Sequence, residues 1–299
     1  MAISPSVESE SSVVILESRR GSHIWHVISR DPLAMASVVI ILIFLLVAIF
    51  APLLAPYPEQ GEGKSSPSTL FLPPSTEHPF GTDALGRDVL SRVMYGARPA
   101  FIIPIIVVLA AVTVGAPLGA IAGFKGGWVD EVIMRITDLF LAFPSLLLAM
   151  AITAALGRGL QNAAIALIIS WWPWYTRLVR GIAVGLRERP FVEAAQSIGV
   201  RDSVIVLRHI LPNSISPILV QVTVDMGTVI LVAGGLAFLG LGTQPPAADW
   251  GLMISTGRTS VINQWWISLF PAAAIFVLIL AFNLLGDVLR DIFDPRQYQ

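Results

Sequence analysis

An all-α integral membrane protein with six transmembrane helices is what the sequence predicts, on three observations. Hydrophobic residues make up 55% of the 299 and charged ones only 13%, about half the charged share of an ordinary soluble domain. Mean hydropathy is +0.76. Six stretches are also long and apolar enough to cross about 30 Å of hydrocarbon, which takes roughly 20 helical residues. The same composition narrows function. A net charge of −1 carries no basic excess for nucleic acid. With no cysteine there is no disulfide, no thiol nucleophile and no Cys-ligated metal. His23, His26, His78 and His209 are scattered, with no metal-ligand pair at helical spacing.

In chain order, residues 1–32 are rich in Ser and Glu and lack the basic start and short apolar run of a cleaved signal. They read as a disordered tail. Residues 33–55 form the first span, uncharged throughout and long enough to be retained. The loop 56–98 opens with a Pro/Ser/Gly-rich, irregular half. Its second half places Val89, Leu90, Val93, Met94 and Ala97 at helical spacing. That predicts an amphipathic helix lying on the outer membrane surface or against partner helices. The core, 99–288, holds the remaining spans at 99–124, 139–156, 159–176, 215–242 and 265–286, with an inner loop at 180–212. A short tail, 289–299, follows.

Six spans place both termini on one side. With the termini inside, the inner segments hold 13 of the Lys and Arg residues and the outer segments 6, which favours cytosolic termini. On this reading the aromatic cluster Trp171-Trp172-Pro173-Trp174-Tyr175 marks the inner end of the fourth span, as an interfacial belt. No nucleotide site accompanies the spans. The nearest approach to a phosphate loop, Gly63-Lys64-Ser65, has Pro58 where the leading glycine is required and lies outside. Nor is there a nucleophile–base pair or a paired-carboxylate site. The chain is therefore a pore, a passive carrier, or one subunit of a machine whose motor lies elsewhere.

The inner loop is the most patterned polar stretch. Pro190 suits the first turn of a helix, where its missing N–H costs nothing. Glu193 then falls in that first turn, where the helix dipole favours a negative charge. Ala194, Ala195 and Ser197 are small enough for another surface to approach. Gly199 supplies a left-handed stop. Apolar helical spacing resumes from Val204 to Ile210, and Leu211-Pro212 is expected to end it before the fifth span. The result is a short crosswise helix tethered to two spans. From physics alone, a basic inner loop that only satisfies the orientation rule explains this equally well.

Comparison of motifs separates the two. Glu193-Ala194-Ala195, Gly199 and Leu211-Pro212, at these spacings, resemble the EAA motif of permease subunits in bacterial ATP-binding-cassette importers. His209 stands where that family usually has Ile, and the form Arg208–Asn213 resembles its peptide and nickel branch. Three further segments are similar to the same branch: 78–92 (HPFGTDALGRDVLSR), 236–251 (LAFLGLGTQPPAADWG) and 282–296 (FNLLGDVLRDIFDPR). The resemblance runs from about residue 30 to the end and fits the C-type subunit of dipeptide and oligopeptide importers.

That resemblance implies a type I importer permease fold with a cytosolic coupling helix, in the bacterial inner membrane. It implies a homologous second permease subunit, two cytosolic ATPase subunits that bind ATP and Mg2+, and an extracytoplasmic solute-binding protein. Membrane lipid surrounds the spans, and this chain itself carries no cofactor. Glu193, Ala194, Ala195, Gly199, Arg201, His209, Leu211 and Pro212 are then the residues expected to couple to an ATPase.

A few residues outside that loop also stand out. Asp225, near the middle of the fifth span, should face protein or water. It is read either as a polar group on the substrate path or as a partner for a neighbouring helix. Gln244 and Trp250, in the outer loop after that span, are candidates for an outer gate or docking surface. Gly115, Gly119 and Gly123 recur every fourth residue and predict close helix packing. Asp138 is expected at the interface or paired with Arg135. Asp287, Arg290 and Asp291 share one face of the last helix. Transport of nickel or another small solute by the same machinery remains open. A stand-alone secondary carrier or channel predicts inverted repeats and more intramembrane charges than the chain contains. A membrane enzyme would need a reactive constellation that is absent.

Overall fold

A computed structural model describes residues 31–293, so the expected 1–32 tail and the last six residues lie almost wholly outside the described region. Among the described residues the chain is helical, without strands beyond one isolated bridge between Thr82 and Asp88. Helix α1 is Pro32–Leu54, opened by Asp31, whose carboxylate accepts from the N–H groups of Leu33 and Ala34. After the one-turn α2 (Pro58–Glu62), α3 runs over Val89–Lys125, and α4 (Gly127–Leu141) and α5 (Ser145–Leu156) follow. Next come α6 (Leu160–Arg187) and the short α7 (Pro190–Ser197). Helix α8 is Asp202–Phe238, and α9 (Trp250–Gly257) and α10 (Trp266–Phe293) complete the chain.

Two ends of the molecule are defined by contacts. At one end Gly63 lies against Pro246, Gly81 against Trp266, and the N–H of Gly159 reaches the carbonyl of Leu241. These bring the loops 55–88, 157–159 and 239–265 together. At the other end the Arg187 guanidinium lies against Gly126, which places the α3–α4 corner beside the end of α6. The chain thus runs between the ends six times. By length and apolar composition four helices qualify as spans, or five if α4 and α5 count as one. The remaining run, α6, is long enough but too polar.

Several expectations are corrected. The outer segment after residue 88 is not a separate amphipathic helix on the membrane. It forms the opening turns of α3, which continues through Pro99 without a break, and Val89, Arg92, Tyr95, Gly96 and Ala97 are buried in protein. The third span is two helices meeting at an 85° bend, because the chain leaves helix at Ala142 and resumes after Pro144. The fourth run does not end at Thr176 but continues to Arg187. The aromatic cluster is therefore mid-helix and not at a helix end, with Trp171 and Tyr175 buried and Trp174 exposed. The last helix extends to Phe293, so it includes Asp287, Arg290 and Asp291, as expected, and runs into the segment assigned to the tail from 289.

The core centres on the pair α3–α6. A Cβ on Gly115, Gly119 or Gly123 would sit 2.4, 2.3 or 2.5 Å from the backbone carbonyl oxygen of Trp172, Thr176 or Arg180. Only hydrogen fits at that spacing, so the two backbones touch along three successive turns, as expected of these glycines. Thr176 Oγ1 donates to Gly115 O at 3.2 Å across the same seam. Helix α10 packs antiparallel on α8 through Gly227 and Gly286.

Candidate functional site

The inner loop 180–212 folds as a helix, a stop and a second helix. Arg189 is extended (φ −87°, ψ 141°), the conformation favoured before proline, so α6 ends and the chain turns into α7 at Pro190. Glu193 lies in the first turn of α7 and is exposed, and its carboxylate makes no hydrogen bond among the described residues. Val192 and Ala195 point inward and are buried. The other side presents Phe191 (45% exposed), Ala194 and Ile198 (81% exposed) at positions i, i+3 and i+7, a single apolar stripe open to solvent.

The stop is a complete left-handed cap. Val200 N–H donates to Ala195 O at 3.1 Å, and Gly199 N–H to Gln196 O at 3.0 Å. Gly199 has φ +79°, and nothing lies within 4 Å of where its Cβ would be. Backbone conformation, not space, demands glycine here. Arg201 is exposed just before α8. His209 is half-buried, its ring 5.9 Å from that of Phe191.

Leu211 and Pro212 do not end a helix. They lie within α8, just after a widened turn at Val206–Ile210 in which Leu211 N–H reaches back to Val206 O. Pro212 has no N–H to offer Arg208 O and its ring would crowd that carbonyl, and an extra residue in the turn accommodates both effects. Asn213 Nδ2 and Ser214 Oγ donate to the carbonyls of His209 and Ile210 at 2.6 and 2.9 Å. α7 is joined directly to α6 on one side and to an unbroken 37-residue helix on the other.

The other candidate residues fall elsewhere. Asp225 is buried in the seam between α8 and α6, and Gln221 Nε2 donates to its Oδ1 at 3.0 Å. Trp250 is inside the chain, donating from Nε1 to Val93 O at 2.9 Å and packing edge-on to Phe44. Gln244 is at the surface and donates to Gly240 O and Gly242 O. Asp138 pairs with Arg177, not with Arg135, which instead reaches Glu131. Gly63-Lys64-Ser65 is a helix stop, with Lys64 held by Glu59.

Sequence reasoning passed over two groups. One is the stripe of Phe191 and Ile198, whose signal was two large apolar residues at helical spacing, on the face of α7 adjoining the buried Val192 and Ala195. The other is the buried ion network of the outer loop. His78 Nδ1 lies 2.9 Å from Asp88 Oδ1, and Asp88 also caps α3 by accepting from the N–H of Ser91. Asp83 holds Arg87 at 2.8 Å, and Arg92 donates to the carbonyls of Pro246 and Ala247 at 3.2 and 3.1 Å. The signal there was the density of Asp, Arg and His in 78–92, residue types rarely buried unless paired.

Residues 115–298 match the family of binding-protein-dependent transport system inner membrane components, and residues 20–74 match the N-terminal transmembrane domain of oligopeptide transport permease C. The chain belongs to the binding-protein-dependent transport permeases. It is 46% identical to the dipeptide transport system permease protein DppC of Alkalihalophilus pseudofirmus, over 90% of this chain and 88% of that one. Identity is 42% to the probable D,D-dipeptide transport system permease protein DdpC of Escherichia coli K12, covering 92% of each. It is 44% to the glutathione transport system permease protein GsiD of E. coli O6:K15:H31, over 91% of this chain and 89% of that one. In fold, the permease is similar to a chain of the methionine ABC transporter MetNI solved in inward-facing form. The TM-score is 0.55 at 17% identity, over 69% of this chain and 98% of that one. The permease is thus a multi-pass inner-membrane component of an importer that works with a binding protein, and transport, not catalysis, is its role.

Proposed function

We propose that this permease is one of two homologous transmembrane subunits of an ATP-driven importer of dipeptides or oligopeptides. Its α7 serves as the helix gripped by a cytosolic ATPase. The observation that carries this is the exposed stripe of Phe191, Ala194 and Ile198 beside an unpaired Glu193, on a short helix fixed at both ends to long ones. An apolar stripe on a soluble-side helix needs a groove to cover it. The peptide cargo is supported by the names of the relatives, which include dipeptide, D,D-dipeptide and glutathione permeases. Nickel or another small solute is the second reading, because the spans contain no feature that selects cargo.

The rest of the assembly follows from this reading. Two ATPase subunits hold ATP and Mg2+, and each takes the α7 of one permease. An extracytoplasmic binding protein delivers the peptide, and the termini are cytosolic, as the Lys/Arg distribution favours. Glu193, Ala194, Gly199 and Arg201 form the coupling surface, while the buried Ala195 seats α7 on the rest of the molecule. His209, Leu211 and Pro212 shape the joint with α8. Gln244 stands at the outer mouth of the path, while Asp225 and Trp250 reach the path only when the seams that bury them open.

The test uses the whole complex in proteoliposomes with its binding protein. Glu193→Lys and Gly199→Val should leave the complex assembled and abolish both uptake and the rise in ATP hydrolysis caused by loaded binding protein. Wild-type uptake in assembled Glu193→Lys would remove α7 from the coupling role.

A further inference from the structure

Helix α4 is fastened to the molecule mainly by charge. Among its residues only Thr137 is buried, while Trp128, Val132, Ile136 and Leu139 are exposed. Asp130 accepts from Arg180 Nε and from a terminal guanidinium nitrogen at 2.5 and 2.6 Å, a two-pronged pairing that fixes direction as well as distance. Two turns along, Asp138 accepts from Arg177 at 2.5 Å. Phe140 adds an edge-on contact with Trp172, with ring centroids 5.4 Å apart.

Arg180 is a junction of three helices. Its backbone N lies 2.9 Å from where a Cβ on Gly119 would be, and its carbonyl O 2.5 Å from that of Gly123. Its main chain is therefore held against α3 while its side chain holds α4. Seven residues later Arg187 closes α6, with its guanidinium against the Gly126 corner that joins α3 to α4. The chain then turns directly into α7. Beyond α4 lies the 85° bend into α5.

We infer that Asp130–Arg180, reinforced by Asp138–Arg177, is the strut that carries displacement of α7 through α6 into α4. The inference rests on α7 being the coupling helix. Asp130 and Arg180 are positioning residues and touch no cargo. The Asp138–Arg177 pair is half-exposed and contributes little to stability; Asp130–Arg180 is more sheltered, with Asp130 18% and Arg180 36% exposed, and a helix with so little buried surface depends on both pairs for its direction. Removing one charge should therefore leave the chain folded and the ATPases gripped, but leave α4 behind when α6 moves.

The experiment compares Asp130→Asn, Arg180→Gln and the exchanged pair Asp130→Arg/Arg180→Asp in the reconstituted complex, reading peptide uptake and ATP hydrolysis together. Each single variant should keep ATP hydrolysis near wild type and lose about tenfold in uptake per ATP, the size of a typical coupling term. The exchanged pair should recover most of that loss. A merely structural pair would lower assembly and both rates together. Wild-type uptake per ATP in either single variant overturns the strut, and so does failure of the exchanged pair to recover in an assembled complex. If the single variants do not assemble, the cysteine-free chain permits a second measurement. Asp130→Cys/Arg180→Cys bridged by a short bifunctional thiol reagent must regain uptake, and no regain overturns the inference. Glu193→Lys keeps the two ideas apart. If it transports normally, the coupling reading fails. If it is inactive while Asp130→Asn is normal, only the strut fails.

Discussion

Single residues in this permease act through what surrounds them, and glycine shows this most clearly. Gly119 and Gly181 both lie in long helices, yet a Cβ on Gly119 would sit 2.3 Å from Thr176 O, and one on Gly181 would meet nothing within 4 Å. Gly119→Ala should lower stability by about 1–3 kcal/mol through overpacking of α3 on α6. Gly181→Ala should be neutral or raise it by about 0.5–1 kcal/mol through helix propensity. Thermal unfolding of the two detergent-purified variants side by side checks both signs. Trp250→Phe removes the hydrogen bond to Val93 O and keeps most of the ring. It should cost about 1 kcal/mol in the same assay.

At the scale of elements, the outer segment before α3 is held by an interlocking set of polar contacts. Asp88 caps α3, contacts His78, and its own N–H donates to Gln60 Oε1 at 2.7 Å. Asp88→Ala should therefore exceed the roughly 1 kcal/mol of an ordinary lost cap. Asp88→Asn, which keeps an acceptor for the Ser91 N–H, should recover much of the difference, as read from unfolding midpoints. The motif in 78–92 was legible as a signature, but its work was not. It read as an amphipathic helix on the membrane surface or against partner helices, because Val89, Val93 and Ala97 have helical spacing. The structure uses the same spacing to bury that face in protein, with Arg92 drawn in by carbonyls from a loop more than 150 residues away. No local pattern encodes such a partner.

At the scale of the whole molecule, the two ends are built differently. The end that holds loops 55–88 and 239–265 is a clasp of buried charges and indole hydrogen bonds, including Trp266 Nε1 to Thr82 O at 3.1 Å. The opposite end has the exposed α7 stripe and the partly exposed pairs of α4 and α6. Arg92→Ala would leave the carbonyls of Pro246 and Ala247 without this donor and Asp83 with Arg87 alone. Losing such buried contacts should cost about 3 kcal/mol or more. Hydrogen exchange should accelerate across 56–88 and 243–249 and stay unchanged in α7 and the inner half of α6. Equal acceleration at both ends would mean that the clasp is not a separate unit.

The sequence by itself determined the membrane class, the family, the approximate position of each apolar run, the glycine seam of α3 and the boundaries of α7. Each of these is local: hydropathy over one span, a four-residue glycine repeat, a proline start and a left-handed stop. Tertiary structure decided the rest. The third run bends, α6 continues past its polar half because α3 and α8 cover it, and Pro212 is absorbed by a widened turn. Asp138 and Asp130 take their partners from α6, not from their own helix. The reason is the same throughout. A buried polar or bulky group is stable only beside its complement, and in these cases the complement lies in another helix whose packing no sequence window contains.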